Sequence, residues 1–200
     1  MVLIAPQRTF FSRRQFLRAG LGAVAGLALA GTAFAQSTRY GIQGRMAPAL
    51  QVGEWIDAGG NPSSFSLAAS KGRWVLLKCF QSWCPGCHSH GFPTMKKVLD
   101  ALGEDDRLAI AGIQTVFEGF GTNTPEKVRE IRLRYKLTVP MGHDAGNPDG
   151  DHHPHTMRAY RTGGTPWMIL IDPTGRVAYN HYSLDADKFI SFIRQQPPIG

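Results

Sequence analysis

The sequence predicts an α/β domain built around a mixed β-sheet, and three observations support this. Apolar runs typical of strands buried on both faces occur at residues 74–80, 108–113 and 167–171. Segments with apolar residues at helical spacing lie between and after these runs. Turn-forming clusters join short strands near both ends of the chain, which favours hairpins at the sheet edges. Strands that alternate with helices indicate a central mixed sheet flanked by helices.

The N-terminal part of this domain is predicted to form a β-hairpin. Residues 51–56 and 64–68 have strand character, and they flank the Gly-, Asn- and Pro-rich stretch 57–62. Residues 36–48 are polar and irregular, so we expect a flexible tether there, with the domain itself spanning 49–200.

The first long buried strand, 74–80, leads directly into a predicted helix. Pro85 suits the first helical position, with Cys84 as the residue before it. We expect this helix to run toward Leu102 and to bend at Pro93, because proline cannot donate to the preceding turn.

The second half of the chain predicts two more helices and a closing hairpin. Thr124 and Pro125 are typical of a helix start. Residues 142–158 predict a long polar loop, and Asp172–Gly175 predicts a turn that joins 167–171 to a last strand at 176–182. A final helix is expected from Asp185, and it should bury Phe189, Phe192 and Ile193.

The first 35 residues have the features of an export signal. Arg13 and Arg14 precede an uncharged run over 19–33, and Ala33-Phe34-Ala35 offers small residues for cleavage after Ala35. The paired arginines resemble a twin-arginine signal, which implies export to the periplasm. The alternative is an uncleaved N-terminal anchor.

The net charge of +7 belongs partly to this segment. Without residues 1–35, 18 basic residues face 15 acidic ones. So small an excess argues against a dedicated nucleic-acid-binding protein.

The stretch Trp83-Cys84-Pro85-Gly86-Cys87-His88 fits two patterns. One is C-x-x-C-H, used for covalent attachment of c-type haem, and the other is W-C-x-x-C, used by redox dithiols. We favour the dithiol because the flanking segments are strands, whereas such a haem domain would be mostly helical. A protein exported in the folded state is also a poor acceptor for haem.

A redox dithiol at a helix start has a clear physical basis. Unpaired amides at the helix N-terminus favour a thiolate, which makes the first cysteine easily ionised. A second feature, Gly164-Thr165-Pro166-Trp167, precedes the strand at 167–171. Pro166 suits a cis peptide bond, and the backbone of Thr165 would then be free to pair with a substrate peptide as an added strand.

These motifs, in this order, resemble the thioredoxin superfamily, and the expected hairpin and central insertion resemble its TlpA-like and redoxin-type envelope members. The resemblance covers roughly residues 45–195. It implies a thioredoxin-like fold in which Cys84 attacks, Cys87 resolves and Pro166 is the cis-proline. Substrate contacts would then come from the residues around the dithiol and the proline: Trp83, Pro85, Gly86 and Thr165.

The function implied is that of a periplasmic thiol-disulfide oxidoreductase without a cofactor. Its partners would be protein thiols and disulfides together with a membrane-linked or thioredoxin-like redox partner, and the protein would be a monomer. One alternative is a thiol peroxidase, although Gln81 stands where a Thr or Ser would polarise the peroxide. The other is a copper- or metal-binding protein that uses the dithiol and histidines of the segment 143–155.

Pro93, His88, Cys79 and Lys78 lie close to the dithiol in sequence. Pro93 lies one residue later than is usual in the family, so we expect an irregular turn at Gly91. His88 would favour a thiolate if it lies near Cys87. Cys79 is expected to be a buried apolar residue. Lys78 stands where thioredoxins commonly have a buried acid.

Two interpretations of Lys78 remain open at the level of sequence. Its side chain either reaches solvent at the edge of the sheet, or it places its amino group behind Cys87. In the second case Lys78 tunes the dithiol, as a cation or as a proton acceptor.

Overall fold

The computed structural model describes residues 39–198, and these include a six-stranded mixed sheet with helices on both faces. The predicted signal at 1–35 lies outside the described residues, as do residues 36–38 and 199–200. The strands are β1 (Glu54–Ile56), β2 (Trp74–Phe80), β3 (Leu108–Val116), β4 (Met141–Ala145), β5 (Trp167–Ile171) and β6 (Val177–His181). The helices are α1 (Phe92–Leu102), α2 (Pro125–Tyr135), α3 (His155–Tyr160) and α4 (Ala186–Arg194).

The strands lie in the order β1-β4-β3-β2-β5-β6. β2, β3 and β4 are parallel, while β1, β5 and β6 are antiparallel to their neighbours. The predicted mixed sheet flanked by helices is therefore confirmed. β2 lies between β3 and β5, so the dithiol that follows it emerges near the middle of the sheet.

Alternate residues of β2 supply two separate apolar cores. Leu76 and Phe80 belong to the core that includes α1, α2 and α4, whereas Leu77 and Cys79 belong to the core that includes Tyr160 of α3. β2 is buried on both faces, as its continuous apolar run predicts.

The segment predicted as a flexible tether is ordered from residue 39, which corrects that prediction for 39–48. Gly44 N–H donates to the Val177 carbonyl at 2.8 Å, and Val177 N–H donates to the Arg45 carbonyl at 2.9 Å. Ile42 is buried in the sheet core. The polar composition of this segment gave no sign that Ile42 would be buried. It also could not show that the free edge of β6 would bind the backbone of the segment.

The predicted N-terminal hairpin is reduced to a single antiparallel bridge between Ile56 and Pro62. Residues 64–68 form no strand, because Pro62 lacks the N–H that would continue the ladder. β1 pairs with β4 instead, and Phe65 packs against Trp55 with 5.5 Å between ring centroids.

The predicted loop over 142–158 is also corrected, because it contains most of β4 and the start of α3. Asp144 accepts hydrogen bonds from the N–H groups of His155 and Thr156, at 3.1 and 2.7 Å, and so satisfies the first amides of α3. β4 and α3 lie between α2 and β5, and the expected central insertion stays a prediction.

The end of the chain follows the prediction with one exception. Gly175 N–H donates to the Asp172 carbonyl at 2.8 Å and closes the turn between β5 and β6. Asp185 caps α4 by accepting from Lys188 N–H at 3.1 Å. Phe192 is 38% exposed rather than buried, and Ile190 takes its place in the core. Within residues 39–198, no helix is long and apolar enough to cross a membrane.

Candidate active site

The dithiol lies at the junction of β2 and an irregular helix start. Pro85 and Gly86 are helical, as predicted, and Cys87–Gly91 then forms one turn of π-helix before α1 begins at Phe92. A π-turn holds one more residue than an α-turn, so it absorbs the additional residue before Pro93. The predicted irregularity at Gly91 is confirmed.

Cys84 is held so that its sulfur is readily ionised. Its Sγ accepts the Cys87 backbone N–H at 3.2 Å and lies 3.4 Å from the Thr165 carbonyl oxygen. The hydrogen bond from the Cys87 thiol is the main reason that the pKa of Cys84 falls to about 5. Thr165 and the Cys87 backbone amide lower this pKa further, whereas burial opposes them. Cys84 is therefore a thiolate at neutral pH.

Cys87 has the opposite chemistry. It is fully buried, and burial raises the pKa of its thiol, as does its hydrogen bond to Cys84. The two sulfurs thus share one proton, which Cys87 holds at neutral pH. A pair with pKa values shifted apart in this way supplies one nucleophile and one reserve thiol.

Pro166 packs closely against the helix start. The Thr165–Pro166 bond is cis, as predicted. A Cβ atom at Gly86 would lie 3.1 Å from Pro166 Cδ, and one at Gly91 would lie 3.0 Å from Pro166 Cβ. The two glycines thereby let the proline ring, and the Thr165 backbone beside it, approach Cys84.

Apolar surface lies on both sides of Cys84. Trp83 is 47% exposed, and its indole lies next to Gly119. On the other side, a cavity of about 260 Å³ is lined mainly by apolar atoms. Its walls include the helix start, the proline and the end of β6: Gly86, Gly91, Thr94, Pro166, Met168 and Tyr182.

His88 holds the dithiol turn to α2. Its Nδ1 lies 2.6 Å from the Tyr135 hydroxyl, and its Nε2 donates to the Ser82 carbonyl at 2.6 Å. Both ring nitrogens are therefore engaged away from the sulfurs. The expected influence of His88 on the Cys87 thiolate stays a prediction, while its clamping contacts were not foreseen.

Asn123 braces the dithiol turn through hydrogen bonds to Ser82, and the sequence analysis did not predict this contact. The buried Asn123 accepts from the Ser82 N–H at 2.7 Å and from the Ser82 hydroxyl at 2.8 Å. Its Nδ2 donates to the carbonyls of Glu118 and Gly119 at 3.1 and 3.2 Å. Asn123 is some forty residues from the dithiol in sequence, so no local pattern could reveal this contact.

Lys78 lies on β2 beneath the dithiol and is completely buried. The interpretation that its side chain reaches solvent is wrong. Its Nζ forms no hydrogen bond with the described residues and lies 4.8 Å from the centroid of the Phe92 ring. Burial lowers the pKa of Lys78, and the charge of Cys87 is the largest effect that opposes this.

Cys79 is a buried thiol, and the histidine-rich segment 143–155 contains an ion pair to Arg158. Cys79 is fully buried, and burial raises its pKa to about 12, so it remains a thiol. Asp151 in the histidine-rich segment accepts from the Arg158 guanidinium at 2.7 Å. No group of three or more His, Cys, Asp or Glu side chains between residues 39 and 198 is placed to hold a metal ion.

The chain matches a known protein family. Residues 44–180 match the model of the AhpC/TSA family, and the chain therefore belongs to that family. A comparison with curated proteins gave no match.

Solved structures of thioredoxin-like proteins resemble this chain. A thioredoxin-like superfamily protein, SPOA0173, is 30% identical with a TM-score of 0.66, over 76% of this chain and 98% of that one. A thiol-disulfide isomerase from Corynebacterium glutamicum is 27% identical with a TM-score of 0.63 and the same coverage. The thioredoxin domain of an oxidoreductase from Bacteroides vulgatus shares the fold at 23% identity and a TM-score of 0.57, over 76% of this chain and 98% of that one. Fold, dithiol and family together define a thiol-disulfide oxidoreductase of the thioredoxin and redoxin type.

Proposed function

We propose that this protein exchanges disulfides with proteins of the bacterial periplasm through Cys84 and Cys87. The observation that carries the proposal is the difference between the pKa values of the two thiols. The pKa of Cys84 is about 5, whereas the pKa of the buried Cys87 is raised. A single nucleophilic thiolate beside a protonated reserve thiol suits a two-step exchange. The twin-arginine pattern around Arg13 and Arg14 supports delivery to the periplasm.

In the first step, the Cys84 thiolate attacks one sulfur of a substrate disulfide. A bond forms between the two sulfurs, the substrate disulfide breaks, and the second substrate sulfur leaves as a thiolate. In the second step, Cys87 loses its proton and attacks Cys84. The mixed disulfide breaks, and the substrate leaves reduced by two electrons. The Cys84–Cys87 disulfide is then reduced by a membrane-linked or thioredoxin-like partner.

The surface around Cys84 suits an extended peptide. The Thr165 backbone next to Pro166 offers an edge for an added strand. Trp83 on one side, and the cavity bordered by Gly86 on the other, accept apolar side chains that flank a substrate cysteine. Pro85, between the two cysteines, is exposed and so accessible to the same peptide.

A thiol peroxidase is the main competing function. Gln81 occupies the position from which a hydroxyl would polarise a peroxide, and its amide is fully buried. Neither its oxygen nor its nitrogen has a hydrogen-bond partner among the described residues. A buried amide at position 81, where the peroxidase pattern has a hydroxyl, favours disulfide exchange over peroxide reduction.

The test compares disulfide and peroxide turnover by the same preparation. Reduction of insulin by dithiothreitol and consumption of hydrogen peroxide are each measured with wild type, Cys84→Ser and Cys79→Ala. We expect rapid insulin reduction by wild type and Cys79→Ala, none above background by Cys84→Ser, and little peroxide turnover. Fast peroxide turnover without insulin reduction would contradict the proposal.

A further inference from the structure

Lys78 is an unusual residue to bury beside a dithiol. It lies on the β2 face that carries Leu76 and Phe80, and its sheet neighbours are Gly112 on β3 and Met168 on β5. Neither neighbour is charged or titratable. Because Nζ is completely buried without a hydrogen bond from the described residues, an ammonium ion there would lose its hydration and gain no hydrogen bond in return. The neutral amine avoids that cost and has a free lone pair.

The charges that act on Lys78 among the described residues belong to cysteines. They come from Cys87, Cys79 and Cys84, in order of decreasing effect. Cys79 lies on β2 itself and stays a thiol, since its pKa is about 12. Cys87 and Cys84 lie at the helix start that packs over β2. Lys78 Nζ thus lies against Gly91, the last residue of the turn Cys87–Gly91, and Cys87 at the start of that turn has the largest charge effect on it.

Gly91 provides the space for this amine. It lies in the π-turn, and a Cβ atom at that position would overlap Lys78 Nζ and come within 3.1 Å of Lys78 Cε. Phe92, the next residue, covers the amine with the face of its ring. The irregular turn and the lysine are therefore coupled, because any larger residue at position 91 would displace the amino group.

We propose that Lys78 is held as a neutral amine that accepts the Cys87 proton during the second step of exchange, and that Gly91 is the positioning residue for it. The inference rests on the proposed function, since it assigns a role within that step. The Cys87 S–H bond breaks, and its proton moves to the lone pair of Nζ. The sulfur attacks Cys84 Sγ, and the substrate sulfur leaves with the electron pair of the broken disulfide. The resulting ammonium then releases its proton to water, because the oxidised site has no thiolate to hold it.

The reagent dithiobis(nitrobenzoate) separates the two steps in one experiment. Attack by Cys84 releases one thionitrobenzoate, and resolution of the mixed disulfide by Cys87 releases a second. In Lys78→Met we expect the first release to keep the wild-type rate within about twofold. The second release should be slower by about 10²-fold or more at pH 7, the size of a lost proton acceptor. It should also become proportional to hydroxide concentration, because bulk base must then remove the Cys87 proton.

Gly91→Ala supplies an independent variant that retains the lysine. Its Cβ displaces Nζ and also comes within 3.0 Å of Pro166 Cβ, so each release is compared with its own wild-type rate, and the second should slow by a larger factor than the first. The matched control is Gly121→Ala, since a Cβ there meets no atom within 4 Å. We expect both phases of this control to match wild type.

Two results would overturn the inference. One is an unchanged second phase in Lys78→Met; if the dithiol of that variant is also more reducing, the lysine is instead a permanent ammonium that stabilises thiolates. The other is a slowed second phase in Lys78→Met that keeps the wild-type pH dependence. Failure of the proposed function itself is distinguishable, because wild type would then lack the first phase.

Discussion

The backbone N–H of Cys87 donates to Cys84 Sγ across 3.2 Å, so the first turn of the helix directs an amide at the Cys84 sulfur. The Cys87 side chain adds a second hydrogen bond that favours the Cys84 thiolate. The same interaction, together with burial, keeps Cys87 protonated. One local geometry therefore gives the two cysteines opposite pKa shifts.

The first prediction concerns the ionisation of Cys84. The rate at which iodoacetamide alkylates the reduced protein should follow a single ionisation near pH 5, the pKa that the contacts of Cys84 produce. Cys87→Ala removes the largest cause of this low pKa and should move the midpoint upward. Cys79→Ala should leave it unchanged, because Cys79 is buried and protonated. A wild-type midpoint near 8.5, the value of an ordinary cysteine, would contradict this explanation.

The second prediction is that the reduced protein gains stability from Cys84 as the pH rises. Because the folded pKa is about 5 and the unfolded pKa is about 8.5, the unfolded state binds more protons between these values. The free energy of unfolding of the reduced form, relative to the oxidised form, should therefore rise from pH 5 to pH 8. The stabilisation should be lost as the pH falls through 5. Urea denaturation of both redox forms measures this difference, and a flat difference would exclude the thiolate.

The third prediction is that Lys78→Met stabilises the fold at neutral pH. Burial lowers the pKa of Lys78 below 10.5, so below that pH the unfolded chain binds the lysine proton more tightly than the folded state does. Replacement by an apolar residue should raise the free energy of unfolding by about 1–4 kcal/mol. The gain should shrink as the pH approaches 10.5, where the unfolded lysine is also neutral. Lys71→Met, at an exposed position, is the control and should show no such pH dependence. A destabilised Lys78→Met would show that the lysine contributes to stability instead.

The fourth prediction concerns Asn123, which braces the dithiol turn through Ser82. Asn123→Ala leaves the Ser82 N–H without its 2.7 Å acceptor, and it should cost about 1–3 kcal/mol of stability. It should also slow attack by Cys84, because the turn that positions this sulfur loosens. Asn61→Ala makes the same chemical change at an exposed turn, and we expect little effect there. Equal losses in both variants, by urea denaturation and alkylation rate, would argue against a brace.

The fifth prediction concerns export. Replacing Arg13 and Arg14 together with lysine should retain the precursor in the cytoplasm, because the twin-arginine pair is lost while the charge is kept. Arg8 and Arg18, changed together to lysine, form the control. The exported wild-type protein should begin at Gln36 by N-terminal sequencing. Normal periplasmic delivery of the Arg13/Arg14 variant would exclude the twin-arginine route.

The sequence predicted those parts of the fold that local patterns determine. Strand β5 was predicted at its full extent because a buried strand requires a continuous apolar run. The start of α2 was predicted because Thr124 and Pro125 have local reasons to begin a helix. The dithiol and the cis-proline were found for the same reason, since each is defined by neighbouring residues.

The parts that were missed depend on distant partners. β4 has a polar sequence, and its place between β1 and β3 follows from pairing rather than from its own propensity. The segment around Gly44 pairs with β6, from which it is separated by more than a hundred residues. Likewise, the burial of Lys78 depends on the π-turn at Gly91, and no sequence period predicts that a lysine will fit beneath a glycine.

Trapping the mixed disulfide tests most directly whether Cys84 attacks and Cys87 resolves. Reduced Cys87→Ser is mixed with a protein disulfide such as insulin, quenched with acid and mapped by mass spectrometry. We expect a stable adduct through Cys84, no adduct in Cys84→Ser, and only a transient adduct in wild type. An adduct through Cys79 or Cys87, or an adduct of equal lifetime in wild type and Cys87→Ser, would contradict the assignment of Cys84 as the attacking thiol and Cys87 as the resolving one.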